Sequence, residues 1–142
     1  MVDFCSSNVL WFVNGCVGSN GFAHITSRVV AIEFGVAEEC ANEELSRLCE
    51  ADFMRRISPS VYEVTQNGKD ECTFLSKFVK RGNVRKINPR TAITIAVKLR
   101  AWFPSKSPDE ISYELAQITA DIFGKKFKCD EGEFELAKKM MS

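Results

Sequence analysis

The stretch "NPRTAITIAVKLRAWF", from Asn88 to Phe103, constrains the fold more than any other part of the chain. Asn88 is a good helix cap, and Pro89 falls at the first helical position, where its missing N–H leaves no hydrogen bond unmade. The apolar residues Ala92, Ile93, Ile95, Ala96, Val97, Leu99 and Trp102 fall on every side of a helix rather than along one stripe. A helix without a polar face must be enclosed by others, so this segment predicts a buried central helix. Its β-branched residues admit a strand as rival; its length favours the helix.

Other segments supply candidates for the enclosure. "NEELSRLCEADFMRRI" predicts an amphipathic helix over 42–57, with Asn42 as cap, Glu43 and Glu44 at the positive end of the dipole, and Leu45, Leu48, Cys49, Phe53 and Ile57 in one stripe. Pro59 stops it or opens a short next turn. "SPDEISYELAQITADIFG" opens with a capping box, Ser107 to Glu110, and carries Ile111, Leu115, Ile118 and Ile122 before Gly124. "DECTFLSKFVKRG" predicts a helix over 70–81, capped by Asp70 and closed by Lys80, Arg81 and Gly82. Its alternative is a hairpin with "VYEVTQ" across Asn67-Gly68. Near the start, "VDFCSSNVLWFVNG" reads as helix or strand, and "FAHITSRVVAIEFGVAEEC" as one helix through Ile25, Val29, Ile32, Val36 and Cys40. The expected fold class is all-α, a compact helical bundle around a buried central helix, in a single domain spanning 1–142.

Nineteen basic and nineteen acidic residues cancel, so bulk charge favours neither nucleic acid nor an acidic membrane. Their distribution is uneven, since no acid occurs between Cys72 and Pro108 while nine basic residues do. Cys5, Cys16, Cys40, Cys49, Cys72 and Cys129 lie far apart without a CxxC pair, and His24 is the lone histidine, so neither a metal nor another cofactor is expected. No phosphate loop, HExxH or nucleophile-base pairing occurs, which predicts a non-enzyme. The uncharged run from Phe4 to Ser27 is broken by Asn, Ser and Gly, so no membrane span is expected, and the chain reads as soluble and intracellular.

Three segments, in order, resemble the B-cell-lymphoma-two (Bcl-two) family of apoptosis regulators. "SRLCEADFMRRIS" is similar to its BH-three motif, with Asp52, Phe53, Arg55 and Arg56 matched and the motif's glycine missing. "INPRTAITIAVKL" resembles the BH-one motif that opens the family's central helix; Asn88 matches its asparagine, Arg90 stands one position early for its arginine, and the tryptophan-glycine pair is absent. "CDEGEFELA" resembles BH-two through Gly132 and Phe134, and "VDFCS" resembles the family's first helix. The compact length is most like that of viral members that block host cell death.

The resemblance implies a surface groove walled by helices around 42–57 and 70–81 and floored by the helix from 89. It would receive the BH-three helix of host pro-apoptotic proteins. Groove residues so implied are Phe53, Ile57, Val61, Leu75, Phe78, Val79, Asn88, Arg90 and Ile93. An anti-apoptotic role would place the protein in the host cytoplasm, peripheral to mitochondria through its partners, with self-association through the groove as a further option. The alternative function is nucleic-acid binding by the basic segment 77–90, "KFVKRGNVRKINPR". Neutral net charge argues against it, so nucleic acid is not an expected partner.

Overall fold

The computed structural model describes residues 4–84, 87–119 and 131–141. Helix dominates, but the all-α expectation is corrected by a three-stranded antiparallel sheet of order β1-β3-β2. The chain divides into two compact units, with the boundary in sequence between Thr73 and Phe74.

In the first unit, helix α1 (Ser6–Gly15) buries Val9, Leu10 and Val13. Strand β1 (Ala23–His24) and helix α2 (Ser27–Phe34) follow, α2 being capped by Thr26, whose Oγ1 accepts the Val29 N–H at 3.3 Å. The single helix expected through residues 25–40 does not form. Gly35 adopts left-handed φ 66° and ends α2 there, which glycine does without a Cβ clash. Breaking the helix also changes its buried face. Val30, Ala31 and Phe34 turn inward, while Val29, Ile32 and Cys40 are exposed. Phe34 collects Phe4 and Phe12 in tilted and edge contacts at 5.6 and 6.0 Å.

Helix α3 (Glu38–Glu50) starts four residues before the expected cap, leaving Asn42 inside it, and buries Ala41, Glu44, Leu45 and Leu48 at helical spacing. The helix expected over 42–57 ends at Glu50. Asp52 takes φ 63°, and the Phe53 N–H reaches back to the Leu48 carbonyl at 3.0 Å. Residues from Met54 then form strand β2 (Met54–Ser58), paired with β3 (Val61–Val64) in the register Met54↔Val64 and Arg55↔Glu63. Contacts distant in sequence fix this switch: Thr65 donates its hydroxyl to the Asp52 carbonyl at 2.5 Å, and Asn67 donates to Asp52 Oδ2 at 2.9 Å. Met54, Tyr62 and Val64 face the core and supply apolar burial that a solvent-facing helical turn would forgo.

Helix α4 (Gln66–Val84) extends past both ends of the expected 70–81, and Asn67-Gly68 lies in its first turn rather than in a hairpin turn. Its second half belongs to the second unit, with α5 (Pro89–Trp102), α6 (Pro108–Ile118) and α7 (Glu131–Met141). The expected capping holds in both middle helices. Asn88 Oδ1 accepts the Arg90 N–H at 2.9 Å, and the Ser107 hydroxyl accepts the Glu110 N–H at 3.3 Å while donating to Glu110 Oε1 at 3.2 Å. Six residues of α5, from Ala92 to Ala96 plus Leu99, are buried. Gly82 lets α4 and α5 approach closely, since a Cβ there would lie 2.9 Å from Ala92 Cβ. Phe78, Ile95, Leu99, Ile111, Leu115 and Ile118 form the core of this unit. Ile122, Gly124, Arg85, Lys86 and Val2 and Asp3 of the first-helix motif lie outside the described residues, as do Cys129 and Asp130, the first two residues of the BH-two-like stretch.

Candidate functional site

Two surface features stand out, one in each unit. The first is the α2–α3 pair. Three residues, Gly35, Val36 and Ala37, join the helices, and the Ser27 hydroxyl ties the start of α2 to Glu38 Oε1 at 3.3 Å. Two helices joined by so short a turn containing glycine have the connectivity of a helix-turn-helix. The β2–β3 hairpin follows it directly. Arg56 braces this hairpin against α3, donating to the Tyr62 hydroxyl at 2.9 Å and to Asn42 Oδ1 at 3.1 Å while its guanidinium stands 5.2 Å from the Tyr62 ring centroid. Arg55 projects alongside and pairs loosely with Glu63 at 3.8 Å.

The exposed side of α3 is acidic, carrying Glu38, Glu39, Glu43 and Glu50. Its only cation, Arg47, is engaged by the buried carboxylate of Glu44, which also accepts from the Ser6 hydroxyl on α1. The first unit as a whole carries ten acidic and five basic residues from Phe4 to Thr73. From Phe74 to Ser142 the balance reverses, to eight acidic and fourteen basic.

The second feature is the solvent side of α4 beyond Thr73. Leu75, Phe78 and Gly82 are buried, and Lys77, Lys80, Arg81 and Val84 emerge on the opposite face. None of these three cations is in an ion pair among the described residues. Elsewhere in this unit, Arg100 stacks on Phe74 at 4.6 Å and Lys106 pairs with Glu114.

The residues implied for a groove have diverse environments. Leu75, Phe78 and Ile93 have no exposed surface. Val79 is half-buried on α4, Asn88 is spent as an exposed cap, and Arg90 is half-buried on the first turn of α5. In the first unit, Phe53 is half-buried in the turn after α3, Ile57 is exposed on β2, and Val61 is half-buried on β3. Phe53 and Ile57, expected on one helical stripe, thus sit in a turn and a strand. The division into α2 and α3 escapes the sequence reading because Val29, Ile32, Val36 and Cys40 fit a longer helix's periodicity; Gly35 was the signal against it.

Burial pushes the Cys72 thiol up to about 11, with the Glu71 charge adding to the effect. Cys5, Cys16 and Cys49 are likewise raised, first by burial. Thiols held protonated in this way are poor nucleophiles. No group of His, Cys, Asp and Glu suited to a metal occurs among the described residues. Among these residues, no helix is long and apolar enough to cross a membrane. Comparison with protein-family models, curated proteins and solved structures finds no match.

Proposed function

We propose that this chain is a nucleic-acid-binding protein. The observation that carries this reading is the element order of the first unit, α1–β1–α2–turn–α3–β2–β3 with sheet order β1-β3-β2, which is the order of a winged helix-turn-helix. Among nucleic-acid binders, either a helix or a β-ribbon serves as the contacting element. The support is an analogy at the level of fold. The exposed cations of α4 add a chemical argument, because phosphate neutralisation by lysine and arginine supplies most sequence-independent affinity.

A second reading retains the anti-apoptotic role, in which a Bcl-two-like groove sequesters the BH-three helices of host pro-apoptotic proteins. The opening of α5 favours it: a helix with a buried apolar face begins at a capping Asn88, with Arg90 on its first turn, as the BH-one resemblance implies. Weighing against it, the BH-three-like stretch divides between a helix, a turn and a strand, and three of the implied floor and wall residues have no exposed surface.

One pair of titrations separates the two. Fluorescence anisotropy of the full chain with labelled duplex and single-stranded nucleic acid should give binding that weakens steeply from about 0.05 to 0.2 M salt. A labelled BH-three peptide should give none. Tight peptide binding that is lost when the peptide's Asp becomes Ala, with nucleic acid indifferent, would reverse the ranking.

A further inference from the structure

We infer that the outer stripe of α4, formed by Lys77, Lys80 and Arg81, grips the nucleic-acid phosphate backbone without regard to sequence, while α3 stays off it. This rests on the nucleic-acid reading above. In a typical helix-turn-helix the second helix enters the major groove by its N-terminal end. Here that end carries Glu38 and Glu39, followed one turn later by Glu43, and the helix's one cation is held by Glu44. Phosphates would meet like charge there, and Arg56, the exposed cation braced on α3 at Asn42, is engaged by the Tyr62 hydroxyl.

The α4 stripe has the opposite character. Lys77 and Arg81 are one turn apart, so the three cations cover a run of about 6 Å on the side facing away from Leu75 and Phe78. The helix C-terminus carries roughly half a negative charge, which leaves an excess of more than two positive charges on the stripe. The nearest acids in sequence on either side are Glu71 and Asp109, at the limits of the acid-free stretch. Contacts of this kind fix position on a backbone and read no bases.

The test uses the full chain and labelled duplexes of two unrelated sequences, with affinity measured across salt. Replacing the three cations together, as Lys77→Gln, Lys80→Gln and Arg81→Gln, should reduce the slope of log K against log salt by about 2.7, or roughly 0.9 per phosphate contact. Between about 0.05 and 0.2 M salt, contacts of that number account for about a 40-fold change in affinity. Lys77→Gln alone should remove about one third of the slope change. Glu39→Gln with Glu43→Gln should leave affinity for both duplexes as it was. Circular dichroism should match the parent in every case, since all the altered side chains are exposed.

A parent slope retained in the triple variant, a clear preference for one duplex, or a response to the α3 variant would overturn the stripe while leaving nucleic-acid binding intact. Absence of nucleic-acid binding by the parent at the lowest salt would overturn both, as would binding confined to phosphatidylserine vesicles.

Discussion

Gly68→Ala offers a direct test of the junction that makes residues 51–65 a turn and hairpin. A Cβ at Gly68 would lie 2.1 Å from the Phe53 carbonyl oxygen, 2.7 Å from Val64 Cγ1 and 3.0 Å from the Phe53 carbonyl carbon. Carbon and oxygen sit comfortably at about 3.3 Å or more, so something must move by roughly 1.2 Å. The obstructing oxygen is main chain and is pinned twice: it accepts the Thr65 N–H at 3.0 Å, and the Phe53 N–H is bound to Leu48. Overpacking costs about 1–3 kcal/mol and should lie at the upper end here, while alanine's helix propensity returns up to about 1 kcal/mol. The expected net loss is about 2 kcal/mol, or about 1 M in the urea midpoint at a typical slope. Trp11 belongs to the first unit and Trp102 to the second, so a Trp102→Phe background makes fluorescence report the affected unit. Gly15→Ala serves as control, because beyond its chain neighbours and its own helix backbone nothing lies within 4 Å of its Cβ position. If Gly68→Ala matched or exceeded the parent's stability while the control behaved, the close approach of α4 to the Phe53 carbonyl would be refuted.

Further outcomes are expected elsewhere. Asp52→Val should cost about 1–2 kcal/mol, because a β-branched residue is strained at φ 63° and loses the Asn67 hydrogen bond; Asp52→Asn should cost less, and equal urea midpoints for the two would refute the argument. Glu44→Ala should destabilise the first unit by about 1–3 kcal/mol by orphaning the Ser6 hydroxyl, to be read from Trp11 in urea. The raised Cys72 pKa means that the folded state holds its proton longer than the unfolded chain, so its contribution is complete below about pH 9 and should be lost as pH rises towards 11. Comparing the alkaline stability of Cys72→Ala with the parent would isolate that loss. Ser107→Ala should remove the α6 cap and about 1 kcal/mol, a change expected in Trp102 emission during urea unfolding.

Signals carried within a few residues of chain were legible without coordinates. Asn88-Pro89 and Ser107-Pro108 set the starts of α5 and α6, and the apolar pattern of 92–99 marked a helix that buries Ala92 to Ala96 and Leu99, although Val97 and Trp102 are only half-buried and Ala101 is exposed. Such signals act between a backbone group and its neighbours, so they survive any tertiary context that leaves the helix intact. The acid-free stretch was equally plain. The switch at Ala51 was not, because the apolar spacing of Leu45, Leu48, Phe53 and Ile57 also suits a continued helix. It was decided by Thr65 and Asn67, thirteen and fifteen residues beyond Asp52, and by pairing with β3. The divided α2–α3 pair likewise depends on burying Phe34 and Leu45 in a common core, a gain no local pattern records. The sequence therefore determined where charge was concentrated and which helices could start. Only the tertiary structure decided which face Lys77, Lys80 and Arg81 present, because exposure is set by burying Leu75 and Phe78 on the opposite side.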